Sequence, residues 1–280
     1  MISGIIYQLI SMLSFGTSNV LWKNPQKRLP VFKIIMLRTI VSVVLFGIMA
    51  LLFFERKGSV FDWTIGFVIS FTSFFGLVFY NLSLKKSKVS HSVTITSISA
   101  VFGVLVSVFF YDEQLHLKLI VSLLFVTSGL FFLESKRPLI QWSKGTVYAI
   151  LAAFFWGTTF ALFKIPVEKI GSYNFSFVLE ISVLLGATIL FLSTKKNKTT
   201  HLPTISTYLT VGVIGVLGFL GVLFYNMAIV KVPVSILSVM GAFTPVISIV
   251  ISHIFLKEKF TKAQYIGMTA TLIGVILLAF

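Results

Sequence analysis

Apolar residues run along the chain in blocks of about twenty, the length that a helix rising 1.5 Å per residue needs to cross a hydrocarbon core of about 30 Å. Ten such blocks, 2–22, 31–53, 63–84, 89–111, 117–133, 143–163, 172–193, 204–229, 233–256 and 262–280, are separated by short gaps that hold most of the Lys and Arg. Backbone amides cannot be left unpaired in lipid, and these runs lack the strict two-residue alternation of barrel strands, so each block is expected to be a transmembrane helix. No gap leaves room for a soluble domain. Block 2–22 has neither a basic start nor a small-residue cleavage site and is expected to remain as span one. Pro245, in Gly241-Ala242-Phe243-Thr244-Pro245, removes a backbone donor inside span nine and predicts a break there.

The pattern repeats. A shift of 145 residues pairs Tyr80-Asn81 with Tyr225-Asn226, Val89-Ser90 with Val234-Ser235, Glu113 with Glu258 and Gly129 with Gly274. A shift of 141 pairs Phe15-Gly16-Thr17 with Trp156-Gly157-Thr158 and Lys23 with Lys164. Two units, 1–137 and 138–280, are therefore expected, each with five spans. An odd number of spans makes the second unit enter from the opposite face, so the expected fold is an all-α membrane protein of ten transmembrane helices arranged as two inverted five-helix repeats. In that architecture the solute site lies near the midplane between the halves.

Composition sharpens this picture. Of 280 residues 57% are hydrophobic and 11% charged, against about 25% charged in soluble domains. The net charge of +15 resembles a nucleic-acid signal, but the basic residues sit between spans, so they read as topology charges and no nucleic-acid partner is expected. The absence of cysteine excludes disulfides, thiolate catalysis and cysteine metal sites. No cofactor is implied. There is no G-x-x-x-x-G-K-[ST] loop, so transport would draw on an ion gradient, on exchange or on the solute's own gradient.

Ala153-Phe154-Phe155-Trp156-Gly157-Thr158-Thr159-Phe160 ahead of Lys164 resembles the opening helix of an EamA repeat, and Phe15-Gly16-Thr17-Ser18-Asn19 is a weaker copy. Leu37-Arg38 in span two, the Tyr-Asn and Val-Ser joints, and Glu258 before span ten fit the same pattern. Over its full length the chain resembles the ten-helix drug/metabolite transporter superfamily, EamA type. It departs from an ideal duplication at Ala100 against Pro245 and at Asp112-Glu113 against Lys257-Glu258. The resemblance implies a carrier of metabolites or drugs, commonly an exporter, with both termini inside the cell. Charge implies the reverse: the odd-numbered gaps, with the span ends that adjoin them, hold 16 of the 23 basic residues and should be cytoplasmic, which leaves the termini outside. The sequence leaves these two indications opposed.

Candidate cavity residues follow from position. Arg38 and Glu180 occupy matching places in spans two and seven under an offset of 142. A charge at a helix centre costs about 2.5–3.5 kcal/mol on insertion scales, so each is expected to face a partner or a wet cavity; Arg38 has the alternative of reaching the headgroups. Glu180 is a candidate to exchange a coupling proton, to bind a cationic solute or to pair with Arg38. Phe15, Trp22, Tyr80, Trp156 and Tyr225 fall in spans that the repeat places around the centre, as cavity walls or as core. Asn19, Asn81 and Asn226 need amide partners, from a solute or from another helix. In span four, Ser90, Thr94 and Ser97 share one face of a continuous helix, either as a polar path or as close packing. Thr159, Thr244 and His253 complete the set.

The function expected is secondary transport of a small solute by alternating access, in the cytoplasmic membrane and in contact with the lipid bilayer. A membrane-embedded enzyme is the rival reading, but no span carries metal-spaced His/Asp or His/Glu pairs, and the chain is not expected to be an enzyme. A channel is the other, and no filter motif of the TVGYG kind is present.

Overall fold

The computed structural model describes residues 1–53, 57–133, 143–194, 202–256 and 260–279, and those residues form helices and no strand. In chain order the helices are α1 (Ile2–Leu21), α2 (Val31–Leu52), α3 (Val60–Lys86), α4 (Val89–Thr96), α5 (Ser99–Tyr111), α6 (Leu117–Leu133), α7 (Lys144–Leu162), α8 (Lys164–Ile170), α9 (Ser172–Ser193), α10 (Ile205–Ile229), α11 (Val234–Gly241), α12 (Thr244–Leu256) and α13 (Lys262–Ala279). Among the described residues eight helical segments are long and apolar enough to cross a membrane, counting α4 with α5, α7 with α8 and α11 with α12 as one each. Leu117–Leu133 and Lys262–Leu278, where spans five and ten are expected, are shorter apolar helices. The chain is a multi-pass integral membrane protein.

Local sequence explains where these helices begin. Ser59 and Asp62 close a reciprocal capping box on α3, Thr204 and Thr207 do the same on α10, and Ser143 accepts the Thr146 N–H at the start of α7. Side chains such as Val44, Ile48, Leu124, Ile189 and Val213 remain exposed and face outward, where lipid replaces water as the solvent. The interior instead collects small and hydroxyl residues, with Ser42, Ser70, Ser83, Ser107, Ser122 and Ser182 fully buried.

Two expectations about helix continuity change. Span four is not one helix: it stops at Thr96, turns through Ser97 and Ile98, and resumes at Ser99. Ser97 therefore lies at the break rather than on a continuous face, and the Ser90 side chain lies outside the described residues. At the break the Thr96 and Ser97 hydroxyls donate to the Ser92 and Val93 carbonyls. Ile98, Ala100 and Val101 N–H groups then bond three residues back. Span nine breaks as expected, at Ala242-Phe243 just before Pro245, with the same three-residue bonds from Ala242, Phe243 and Val246. Span six also runs further than expected, continuing as α8 to Ile170. Glu258 and Lys257, singled out in the sequence, lie outside the described residues.

Pairs of helices pack across the molecule: α1 on α10 and α3 on α7, α2 on α9, α6 on α13, α5 on α7 and α1 on α12, α2 on α10 and α3 on α9. Glycines permit the closest approaches. A Cβ on Gly157 would strike the Ser99 carbonyl oxygen at the start of α5, and one on Gly16 would meet Ile247 and lie 3.4 Å from the Thr244 carbonyl oxygen at the start of α12. At the end of α5, Asp112 adopts a left-handed conformation (φ 52°) and the next side chain reaches α11. The Glu113 carboxylate accepts the N–H groups of Val234 (2.7 Å) and Ser235 (2.9 Å) and the Ser235 hydroxyl (2.5 Å). This carboxylate satisfies donors that the first turn of α11 would otherwise leave unpaired.

Candidate functional site

At the centre of the bundle α2 and α9 bring together the two charges that the sequence placed at matching positions. Arg38 Nη1 donates to Glu180 Oε1 at 3.1 Å, with the side chains 8% and 1% exposed. Arg38 thus turns inward and does not reach for the headgroups. The pair is incomplete: Arg38 Nε and Glu180 Oε2 are buried without a hydrogen-bond partner among the described residues. Room for the guanidinium comes from α10, where a Cβ on Gly218 would sit 3.0 Å from Arg38 Nη1.

Both charges line a cavity of about 80 Å³, enough for two or three waters at about 30 Å³ each. Phe15, Trp22, Tyr80, Trp156 and Phe160 form the aromatic part of its walls, beside aliphatic side chains such as Leu179 and Ile214. Trp156 stacks on Phe160 (5.9 Å between centroids, 11° between planes), Phe160 on Phe15 (6.5 Å, 18°), and Tyr80 leans on Trp156 (5.0 Å). Two glycines set these rings back from the centre: a Cβ on Gly76 would overlap Trp156, and one on Gly221 would overlap Phe15. Asn19 completes the polar part. Its Oδ1 accepts the Tyr80 hydroxyl at 2.7 Å, and its amide lies 3.5 Å from Ser248 Oγ, which donates to the Gly16 carbonyl.

Seven candidates therefore share this cavity: Phe15, Asn19, Trp22, Arg38, Tyr80, Trp156 and Glu180. The rest lie outside its lining. Asn81 accepts from Gln26 (3.0 Å) in the connection between α1 and α2, and Asn226 donates to Ser176 Oγ (2.8 Å) on α9, so both amides are partnered within the protein. Thr159, Thr244 and Ser97 donate to carbonyls of their own turns. Thr94 is buried in α4, and Tyr225 packs behind Phe160 and donates to its carbonyl at 3.1 Å. His253 is exposed near the end of α12, stacked on Phe260. Ser73, Leu77, Gly218 and Val222 line the cavity but were not singled out. The signal was present: the 145-residue shift that pairs Tyr80 with Tyr225 also pairs Ser73 with Gly218 and Leu77 with Val222.

The sequence profile of the EamA-like transporter family matches residues 2–135 and 143–280. The chain belongs to the EamA-like transporter family. An uncharacterized transporter of Archaeoglobus fulgidus is 26% identical over 282 residues, covering 98% of this chain and 97% of that protein. An uncharacterized protein of Methanocaldococcus jannaschii is 29% identical over 133 residues, which are 94% of that protein but 48% of this EamA-like chain. A crystal structure of a protein 18% identical in sequence superposes with a TM-score of 0.74, covering 96% of this chain and 95% of the other, and shares the fold. Family membership makes this chain a membrane transporter.

Proposed function

We propose that this chain is a secondary transporter, and not an enzyme, that moves a small metabolite or drug-like solute through the cytoplasmic membrane by alternating access between two inverted five-helix halves, residues 1–137 and 138–280. The observation that carries the reading is the buried Arg38–Glu180 pair, one charge from each half, on the wall of a central cavity shared with aromatic side chains. Reciprocal packing supports the two halves. Exchanging the repeats turns the α1–α10 contact into α7–α3, α5–α7 into α12–α1 and α10–α2 into α3–α9, and each of these contacts is present. The same exchange carries Gly157 facing Ser99 into Gly16 facing Thr244, and Gly76 under Trp156 into Gly221 under Phe15. A relative that spans about half of this chain fits a duplicated unit. The export direction rests on the family alone.

The test begins with a thermal-shift screen of the detergent-solubilised protein against amino acids, nucleobases, quaternary amines, organic acids and common drugs, because a ligand that binds only the folded state raises its stability. A stabilising compound, radiolabelled outside proteoliposomes that hold an unlabelled excess, is expected to accumulate transiently inside. Flux linear in concentration with no such overshoot would identify a channel; conversion of the compound would identify an enzyme. A second reading, favoured by the unpartnered Glu180 Oε2, is that a proton on this carboxylate drives the cycle. In that case Glu180→Gln removes the pH dependence of flux; if the pH profile of the variant matches the parent, the proton reading fails.

A further inference from the structure

On the cavity wall the charge of Arg38 balances that of Glu180. In alternating access the carrier passes through a form closed to both aqueous sides, and a charge without a counter-ion is costly there because nothing replaces its water. Arg38 and Glu180 remove that cost for each other at 3.1 Å while both are buried. They come from α2 and α9, which pack on each other. Exchanging the two halves maps the α2–α9 contact onto itself, unlike α1–α10 or α5–α7, so the pair persists whichever face is open.

We propose that the Arg38–Glu180 pair lets the unloaded carrier change the face to which it is open, so that the protein performs net transport and is not restricted to one-for-one exchange. The inference rests on the alternating-access reading above and deepens it. The counter-ion for Glu180 in the empty return step is Arg38, and no proton is needed for it. With either charge neutralised alone, the survivor stays hydrated at one open face and the closed form becomes harder to reach.

The test needs no solute. The chain has no cysteine, so Ser73→Cys on the cavity wall supplies a single thiol. Washed right-side-out and inverted membrane vesicles are treated with a membrane-impermeant maleimide, and the labelling rate is read from each face. In the Ser73→Cys parent, labelling from both faces is expected. Adding Glu180→Gln or Arg38→Gln is expected to slow labelling from one face by about tenfold or more, as an uncompensated buried charge requires. The double change Arg38→Gln with Glu180→Gln is expected to restore labelling from both faces, which separates charge balance from misfolding even where a single variant folds poorly. A parent labelled from one face only, single variants labelled like the parent, or a double variant blocked at one face would each overturn the proposal. Counterflow in proteoliposomes is scored separately, so the carrier reading stands or falls on its own result.

Discussion

At the scale of single residues, a guanidinium and a carboxylate removed from water are worth keeping only as a pair. Breaking a buried pair by removing one partner typically costs about 3–5 kcal/mol, whereas replacing both partners is often nearly neutral. Glu180→Gln or Arg38→Gln alone should therefore lower stability by several kcal/mol, and the double change by much less than the sum, in reversible unfolding of the detergent-solubilised protein. Equal, additive losses would mean that the two charges do not depend on each other. The glycines facing the half-helices give a second case. A Cβ on Gly157 would meet the Ser99 carbonyl oxygen, and one on Gly16 would meet Ile247 at both Cγ2 and Cβ, of which the Cβ is fixed to the backbone whatever the rotamer. Gly157→Ala and Gly16→Ala are each expected to cost about 1–3 kcal/mol, the usual range for overpacking; an unfolding midpoint equal to the parent's for either variant would count against this.

At the scale of elements, the two helix breaks stand at matching places, Ser97-Ile98 and Ala242-Phe243, although only the second has a proline beside it. The turn at Ser97-Ile98 forms with no proline beside it, so proline is not required for a break of this kind. The Gly241 carbonyl, the acceptor that a residue 245 N–H would seek, already takes the Thr244 hydroxyl at 2.6 Å. Pro245→Ala should keep the break, and a structure of the variant with one unbroken helix from Val234 to Leu256 would count against this. The Glu113 cap makes a second element-scale prediction. Glu113→Ala should destabilise by about 0.5–2 kcal/mol, the range for a lost N-cap, and speed hydrogen exchange at Val234 and Ser235 while leaving α9 unchanged.

These elements also show what the sequence made legible and what it hid. Hydropathy placed the apolar helices to within a few residues, because lipid imposes a length and an apolar run that few other structures require. The break in span four was hidden because Ser and Thr are ambiguous in a span: the same hydroxyls serve packing, solute contact or backbone competition. Arg38 and Glu180 were legible because charge in a span is costly and the repeat aligned them. Asn81 and Asn226 drew attention for the same cost, but their partners, Gln26 and Ser176, were neighbours that only folding could supply.

At the scale of the whole molecule, the gaps between spans sort onto two ends of the bundle. On one end Lys23 donates to the carbonyls of Leu84 and Ser87, Gln26 bonds Asn81, Arg28 bonds the Leu202 carbonyl at 2.8 Å, and His91 lies 3.0 Å from Thr146. On the other, Lys164 lies over the Tyr111 ring, Glu113 caps α11, Lys231 lies over the Tyr7 ring and Phe53 stacks on Tyr173. Described residues flanking gaps one, three, five and seven meet at the first end, and by sequence the odd-numbered gaps with the span ends that adjoin them hold 16 of the 23 Lys and Arg. Basic residues in short loops are retained on the cytoplasmic side, and acidic residues contribute little to that bias. The charge of this particular chain bears on its own insertion more directly than the usual orientation of its family does. The basic end is therefore expected to face the cytoplasm, with the N-terminal end of α1 and the C-terminal end of α13 outside. A C-terminal alkaline phosphatase fusion should be active and a C-terminal green fluorescent protein fusion dark. Bright fluorescence with an inactive phosphatase would place the basic end outside, and the 16 basic residues would then need a role other than setting topology.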